Sequence, residues 1–284
     1  MSLTYPIIIN KSNHVGNSTF RYRFGNNVEM GNVSIALGSA SVYYSWRNIT
    51  AAKSNNQFSI IHPATLATNV TLNITVPDGG YEIADLNNYL RWYLITNGYY
   101  IQNTSTAEQT VYCELRVNAS TYQIEFVSYP LPTSLPSGYT AGSAITFPST
   151  TRAPQLSFTQ PAFGVLIGYA VGTYPTTQAT TLTTTGSSAT PVVSDVNNVV
   201  ITLNSAMNPF APNSQVIHSF STAGTRYGAL IESNPNELSF VPQQQGYRNE
   251  ITIQLCDQML QPIAILDNDV TIKLLLRRET SVQY

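Results

Sequence analysis

The sequence predicts an all-β chain built from two facing antiparallel sheets. Apolar and polar side chains alternate along most of its 284 residues, and only 10% of the residues are charged. The apolar stretches are short, each about the length of an ordinary strand. Because the apolar face recurs too often for a single open sheet to bury it, we expect two sheets packed face to face.

The first clear alternation runs from residue 33 to residue 46. Val33, Ile35 and Leu37 alternate with small polar residues, and the parity then flips so that Val42 and Trp46 continue the apolar face. The flip falls at position 38, a glycine, and a glycine at a parity change predicts a bulge or a strand that crosses to the other sheet. The neighbouring aromatic residues are expected to pack in the core or at an interface.

A β-hairpin is predicted where the alternation 111–117 is followed by a polar turn and a second alternation, 122–126. Further short strands are predicted at 70–76, 163–169, 196–203, 215–220, 227–232, 238–241, 251–256 and 270–276.

One segment departs from the period of two. Ile83, Leu86, Leu90 and Leu94 recur at helical spacing, and Asn97-Gly98 is a suitable left-handed end. The sequence therefore predicts one helix of about three turns.

Two stretches carry no clear pattern: a proline-rich segment, 129–155, and a threonine-rich segment, 173–194. The strand pattern beside each stretch is too short to bury a separate core. We therefore expect an N-terminal arm, 1–20, and a single domain, 21–284, with long loops near 129–162 and 173–195.

The residues do not form a pattern typical of an enzyme or a metal site. His14, His62 and His218 are far apart, and each lacks a neighbouring ligand at metal spacing. Nucleotide-binding loops and a nucleophile elbow are missing from the sequence. We therefore predict no catalytic residue, no metal and no cofactor.

The stretch LDNDVTIKLLLRR contains a candidate acid site. Asp267 and Asp269 flank an asparagine, as in a calcium loop, but Ile272 and Arg278 stand where such a loop needs glycine and glutamate. We interpret the stretch as a turn into a strand whose buried face carries the apolar residues and whose other face carries Lys273.

Composition limits the partners. A net charge of -2 provides no basic surface for nucleic acid, and no apolar run is long enough for a spanning helix. The N-terminus lacks the features of a signal peptide, so we expect synthesis inside the host cell without one. Cys113 and Cys256 lie in apolar strand patterns and are predicted to be buried thiols rather than a disulfide.

Three stretches carry a resemblance to a known family: SIALGSASVYYSWRNIT, VTLNITVPDGGYEIADLNNYL and SNPNELSFVPQQQGYRNEITIQLCDQMLQPIAILDNDVTIKLLLRR. In this order they resemble the penton, or minor capsid, protein of virophages and Polinton-like viruses. The resemblance implies a single jelly roll that forms homopentamers at the fivefold vertices of an icosahedral virion. The implied neighbour is a major capsid protein with a double jelly roll.

The apolar segment SLTYPIII is expected to contribute to assembly. Because it has no helix signals, Tyr5, Pro6, Ile7 and Ile8 are predicted to become ordered by adding a strand to a neighbouring subunit. The alternative function is a jelly-roll binding module, either lectin-like or receptor-binding.

Overall fold

The computed structural model describes residues 2–211 and 213–279. Its strands are β1 (Ser2–Ile9), β2 (His14–Gly16), β3 (Thr19–Glu29), β4 (Val33–Tyr43), β5 (Gln57–Pro63), β6 (Asn69–Thr75), β7 (Ile101–Asn103), β8 (Gln109–Thr110), β9 (Cys113–Asn118), β10 (Gln123–Ser128), β11 (Tyr139–Ala141), β12 (Gln155–Phe158), β13 (Gly172–Tyr174), β14 (Thr183–Gly186), β15 (Asn198–Leu203), β16 (Val216–Ser221), β17 (Leu230–Ser233), β18 (Val241–Pro242), β19 (Tyr247–Cys256) and β20 (Thr271–Glu279). Its α-helices are α1 (Ile83–Thr96) and α2 (Pro161–Ile167), and short 3-10 turns lie at Lys11–Asn13 and Ala51–Lys53.

The contacts divide the chain into two compact units. Unit 1 contains the residues up to Trp46 and those from Val196 onward, and unit 2 is Arg47–Asp195. Each unit buries its own apolar side chains, since none of the core clusters draws residues from both units. The prediction of a single domain over residues 21–284 stays a prediction, to be tested by removing unit 2.

Unit 1 is a sandwich of two antiparallel sheets. The first has the strand order β1-β20-β4-β17, with β18 also paired to β4, and the second has the order β16-β15-β19-β3-β2. Along the chain, β1, β4, β17 and β20 belong to the first sheet, whereas β3, β15, β16 and β19 belong to the second. Eight strands distributed in this way form a jelly roll. The predicted fold class, an all-β jelly-roll sandwich, is therefore confirmed.

The core of unit 1 follows from the alternation of apolar residues. Ile35 and Leu37 of β4 and Ile272 and Leu274 of β20 are buried in one cluster, together with apolar residues of the second sheet. The register between β4 and β20 shifts beside Gly38, as expected for the predicted bulge. A Cβ atom on Gly38 would lie 3.2 Å from Leu275 Cγ, which explains why the smallest residue stands there.

The N-terminal arm is ordered within its own chain. Strand β1 pairs with β20 along its whole length, from Ser2 opposite Glu279 to Ile9 opposite Ile272. The expectation that the arm becomes ordered only against a neighbour is therefore wrong, because β20 already offers it a free edge. Removing residues 1–8 would also remove a strand of the jelly roll and the buried side chain of Ile7.

Unit 2 contains a four-stranded sheet, β13-β12-β5-β6, and two three-stranded sheets, β14-β10-β9 and β11-β7-β8. The predicted hairpin is present as β9 and β10, and the predicted helix is α1, with its four apolar residues buried. Two tyrosines of α1 cover the open edge of β6: the hydroxyl of Tyr89 donates to Thr75 O at 2.8 Å, and that of Tyr93 to Asn73 O at 3.2 Å.

The strand prediction for 163–169 is wrong, because this segment forms helix α2 and the chain therefore has a second helix. Phe163, Val165 and Ile167 alternate with small or apolar residues, which imitates a strand pattern over so short a length. Local residues favour the helix instead: Pro161 stands in its first turn, and Gly168 ends it in a left-handed conformation with φ 83°.

The proline-rich and threonine-rich segments contain short strands. These strands and side-chain hydrogen bonds connect the segments to the rest of unit 2. Strand β12 lies inside a four-stranded sheet, and β14 pairs with β10. The guanidinium of Arg152 donates to the carbonyl oxygens of Ala64, Leu66 and Thr68 at 3.2, 3.1 and 2.7 Å. One cation thereby binds three carbonyl groups of the same turn.

Replacing residues 47–195 with a linker of about six glycine and serine residues is expected to leave unit 1 folded. The two ends of unit 2 are close together, because Lys53 Nζ lies 3.0 Å from Arg47 O and 2.5 Å from Asp195 Oδ2. A linker of about six residues can span about 20 Å, more than this gap. Circular dichroism should show β structure and a cooperative thermal transition, whereas an unfolded product would mean that both units form one domain.

Candidate assembly surfaces

Each of the three histidines contacts an aromatic ring or a hydroxyl group. His14 packs on Phe20, His62 on Tyr99, and His218 Nε2 lies 3.2 Å from Ser233 Oγ. Within residues 2–211 and 213–279, no three His, Cys, Asp or Glu residues come together as a possible metal site.

Several acidic side chains accept hydrogen bonds from backbone amides in turns and at the start of a helix. Asp85 Oδ2 accepts from Glu82 N at 2.9 Å at the start of α1, and Asp78 Oδ1 accepts from Ala51 N at 2.7 Å. Asp257 Oδ1 accepts from the amides of two residues in the turn that follows it. Asp85 therefore caps the start of α1.

The stretch LDNDVTIKLLLRR is a turn followed by a strand, as predicted. Asp267 Oδ1 accepts from Asp269 N at 2.9 Å, and Ser45 Oγ accepts from the amides of Leu266 and Asp267 at 3.0 Å each. Lys273 is exposed on the face opposite the buried residues of β20.

The two cysteines are free and buried, as predicted. Burial raises the pKa of Cys113 to about 12, so that its thiol stays protonated and is a poor nucleophile.

A polar cavity of about 210 Å³ lies between α1 and β9. Two of the three charged residues in its lining have partners: Arg91 donates to Gln109 O at 2.6 Å, and Glu114 Oε1 accepts from the hydroxyl of Tyr129 at 2.9 Å. The cavity is therefore explained by the packing of unit 2, and its lining does not indicate a reaction.

The outer edge of β1 is the first candidate assembly surface. Among the described strands, β1 pairs only with β20, so its other edge has no partner strand. Tyr5 is 51% exposed, Ile8 is 57% exposed and Pro6 is also exposed, whereas Ile7 is buried. The side chain of Ile7 is therefore part of the core, and the assembly role of Tyr5, Pro6 and Ile8 stays a prediction.

The opposite edge of the same sheet is β17, which pairs only with β4 among the described strands. Ile231 and Ser233 point into the sandwich, whereas Leu230 and Glu232 are exposed on the outer face. Sequence patterns did not single out this edge, since a four-residue strand with one glutamate resembles any solvated strand.

The loop between β15 and β16 carries the most exposed large apolar side chain, Phe210, which is 95% exposed. Asn208 braces this loop: its Oδ1 accepts from Phe210 N at 3.1 Å, and its Nδ2 donates to Val216 O at 3.1 Å. The only sequence signal for this position was a phenylalanine in a turn between two prolines.

Acid is expected to destabilise unit 2 through His62. This side chain is buried, its Nδ1 lies 2.9 Å from Pro63 O, and burial lowers its pKa from 6.5 to about 4. Between about pH 4 and pH 6.5 the unfolded state binds more protons than the folded state. The free energy of unfolding should therefore fall by about 2 kcal/mol from pH 7.5 to pH 5.

The control for this effect is His62→Phe, which keeps an aromatic ring beside Tyr99 but cannot titrate. Urea unfolding at both pH values should show a smaller difference in His62→Phe than in the wild type. Burial also lowers the pKa of His218, so some acid sensitivity should remain in the variant. Equal pH dependence in the two proteins would contradict the assignment.

In the part of the chain that the structure describes, no helix is long and apolar enough to cross a membrane. Unit 1 is a jelly roll in which β1 and β17 each lack a second partner among the described strands, and unit 2 is inserted in sequence between β4 and β15. Jelly rolls form a class that includes viral capsid domains, lectins and cupins.

The chain is similar to two solved structures from virophages. A crystal structure of the mavirus penton protein aligns with 10% sequence identity and a TM-score of 0.45, covering 97% of each chain. A chain in the cryo-EM structure of the Sputnik virophage aligns with 11% identity and a TM-score of 0.41, covering 100% of this chain and 99% of the other. Neither a family model nor a curated protein matches the sequence.

Proposed function

We propose that this protein is a structural capsid protein, a penton that forms homopentamers at the fivefold vertices of an icosahedral virion. The observation that carries the proposal is the jelly roll of unit 1, whose first sheet exposes apolar side chains at two edges that have no partner among the described strands. Edges of this kind favour association with other chains. The major capsid protein that would surround the penton is expected to be a double jelly roll.

The positions of the three resembling sequence stretches support this proposal. The first stretch covers most of β4, the second covers β6 and the beginning of α1, and the third runs from the end of β17 to the end of β20. The resemblance thus includes both the jelly roll and the insertion, and it is not limited to turns.

The bonding of the potentially reactive side chains also supports a structural role over an enzymatic one. Asp85, Asp257 and Asp267 each accept hydrogen bonds from backbone amides, and the buried thiol of Cys113 stays protonated. The low charge of the chain suits burial between subunits better than binding to nucleic acid.

Native mass spectrometry of the purified chain tests the proposal. We expect a species of five copies, about 155 kDa from the 31.1 kDa chain. The alternative function, a lectin-like or receptor-binding module, predicts a monomer that binds glycans on an array. A strictly monomeric chain with glycan binding would therefore overturn the penton proposal.

A further inference from the structure

We propose that Phe210 of one copy inserts into a cleft between β2 and β3 of the next copy, and that this contact joins the subunits of the ring. The inference rests on the proposed function, because it names the surfaces through which the homopentamer would form. The partner is a second copy of this chain. The argument depends on the exposure of Phe210, on the size and lining of the cleft, and on where both lie in the second sheet of unit 1.

Phe210 is almost fully exposed within its own chain. Its side chain is 95% exposed, although an aromatic ring stabilises a protein or a complex by being buried. The loop that carries the ring is held by backbone hydrogen bonds: Asn208 N donates to Ser214 O at 2.7 Å, and Met207 N donates to Pro242 O at 2.8 Å. Because such a loop has little conformational freedom left to lose on binding, Phe210 has the properties of an interface anchor.

An open cleft of about 380 Å³ lies where β2 pairs with β3, and we call it the β2–β3 cleft. Its lining includes Arg21, Tyr22, Arg23 and Val15, of which Val15 is an apolar residue that is 53% exposed. A cavity of about 150 Å³ is enough to hold benzene. The β2–β3 cleft therefore has room for one phenyl ring.

The arginines of the cleft suit an aromatic ring. Arg21 and Arg23 share one carboxylate, that of Glu250, at 3.7 and 3.5 Å. Exposed ion pairs of this length hold a guanidinium group weakly, and a guanidinium plane stacks well on an aromatic face. Unit 1 already contains one contact of this kind, in which the guanidinium carbon of Arg277 lies 3.9 Å from the ring centroid of Phe240.

Phe210 and the cleft lie at opposite edges of the second sheet, so a contact between them requires a second copy. Strand β16, which follows the loop of Phe210, is one edge strand of this five-stranded sheet, and β2 is the other. Four spacings between neighbouring strands separate the two edges by about 19 Å. A contact between two different surfaces repeats from copy to copy and closes into a ring when the rotation permits.

The loop of Phe210 leaves the sheet at the level of the cleft. Asn204, the first residue after β15, is bound to Thr252 of β19: Asn204 N donates to Thr252 O at 3.0 Å, and Thr252 N donates to Asn204 Oδ1 at 3.1 Å. Thr252 lies opposite Arg21 of β3, which lines the cleft. Neighbouring copies placed side by side can therefore bring the loop to the cleft without a large shift along the strands.

Truncation of the ring tests its role as an anchor. Phe210→Ala should weaken association by about tenfold or more, because it removes the group that fills the cleft. Leu266→Ala is the matched control, since Leu266 is also apolar and 51% exposed but lies before β20, an inner strand of the first sheet. This control should associate like the wild type. The readout is the oligomer distribution in analytical ultracentrifugation over a range of concentrations, and circular dichroism verifies that each variant is folded.

Cross-linking tests where the contact lies. The double variant Val15→Cys/Ala211→Cys retains Phe210 and places one cysteine in the cleft and one beside the ring. A short bifunctional maleimide, whose reach is less than the width of the sheet, should link the chains into a ladder of two to five copies on a denaturing gel. Val15→Cys/Leu266→Cys is the control pair and should give no ladder. The two native cysteines are buried and do not react.

The outcomes separate this inference from the proposed function. If the wild type forms pentamers but Phe210→Ala associates equally well, or the Val15→Cys/Ala211→Cys variant gives no ladder, the proposed contact is wrong and the penton proposal stands. If the wild type stays monomeric at every concentration, both are overturned. Weaker association of Phe210→Ala together with the ladder supports both.

Discussion

Replacing Tyr169 with phenylalanine is expected to lower the free energy of unfolding by about 3 kcal/mol. The hydroxyl of Tyr169 accepts from Phe126 N at 3.0 Å and lies 2.9 Å from Ile124 O and 2.6 Å from Thr185 O. It thus bridges β10 and β14 inside the core of unit 2. Removing the oxygen takes away the acceptor of the buried Phe126 amide and the donor to Thr185 O, whereas Ile124 O keeps its bond from Ser187 N at 2.8 Å. The loss at the buried amide is the main reason for the large effect.

Tyr174→Phe is the matched control for this variant. Its hydroxyl donates to Ala170 O at 3.2 Å in an exposed position, where water can replace the bond. We expect a loss of less than about 1 kcal/mol. Urea unfolding of both variants gives the comparison, and equal losses would contradict the bridging role of Tyr169.

Replacing Gly168 with alanine is expected to cost about 4 kcal/mol, the sum of about 1 kcal/mol of backbone strain and about 3 kcal/mol of overlap. Gly168 ends α2 with φ 83°, and its carbonyl oxygen accepts from Ala189 N at 3.0 Å. A Cβ atom at this position would overlap the carbonyl oxygen of Ala189 and lie 2.9 Å from Ser187 Oγ. Because the first of these neighbours is backbone, the overlap cannot be relieved by a rotamer change.

The same substitution at Gly228 separates the two contributions. Gly228 also has φ 83°, but a Cβ atom there would meet no atom within 4 Å. Gly228→Ala should therefore cost only the strain, about 1 kcal/mol. Thermal or urea unfolding measures the loss of stability in both variants. Equal losses would mean that the atoms around Gly168 move aside for the added methyl group without lowering the free energy of unfolding.

The sequence predicted correctly those elements in which a helical or an alternating pattern of apolar residues is uninterrupted. Helix α1 has four buried residues at helical spacing, and β20 alternates from Ile272 to Leu276 after an aspartate turn. Helix α2 was predicted as a strand because seven residues are too few to distinguish the two periods. Pro161 and Gly168 carried the correct signal there.

Features that depend on distant residues could not be predicted in this way. The alternation continues through residues 47–195, so the sequence does not indicate that these residues bury their own core. The arm was predicted to need a neighbour because its partner, β20, lies more than 260 residues away in sequence.

The central claim is that this chain is a jelly-roll penton, and imaging of intact particles that contain it tests the claim most directly. Cryo-electron microscopy with icosahedral averaging should show five copies of the jelly roll around each fivefold axis, enclosed by larger double jelly rolls. Density for the chain anywhere other than at the fivefold axes, or particles whose vertices are occupied by a different protein, would contradict the claim.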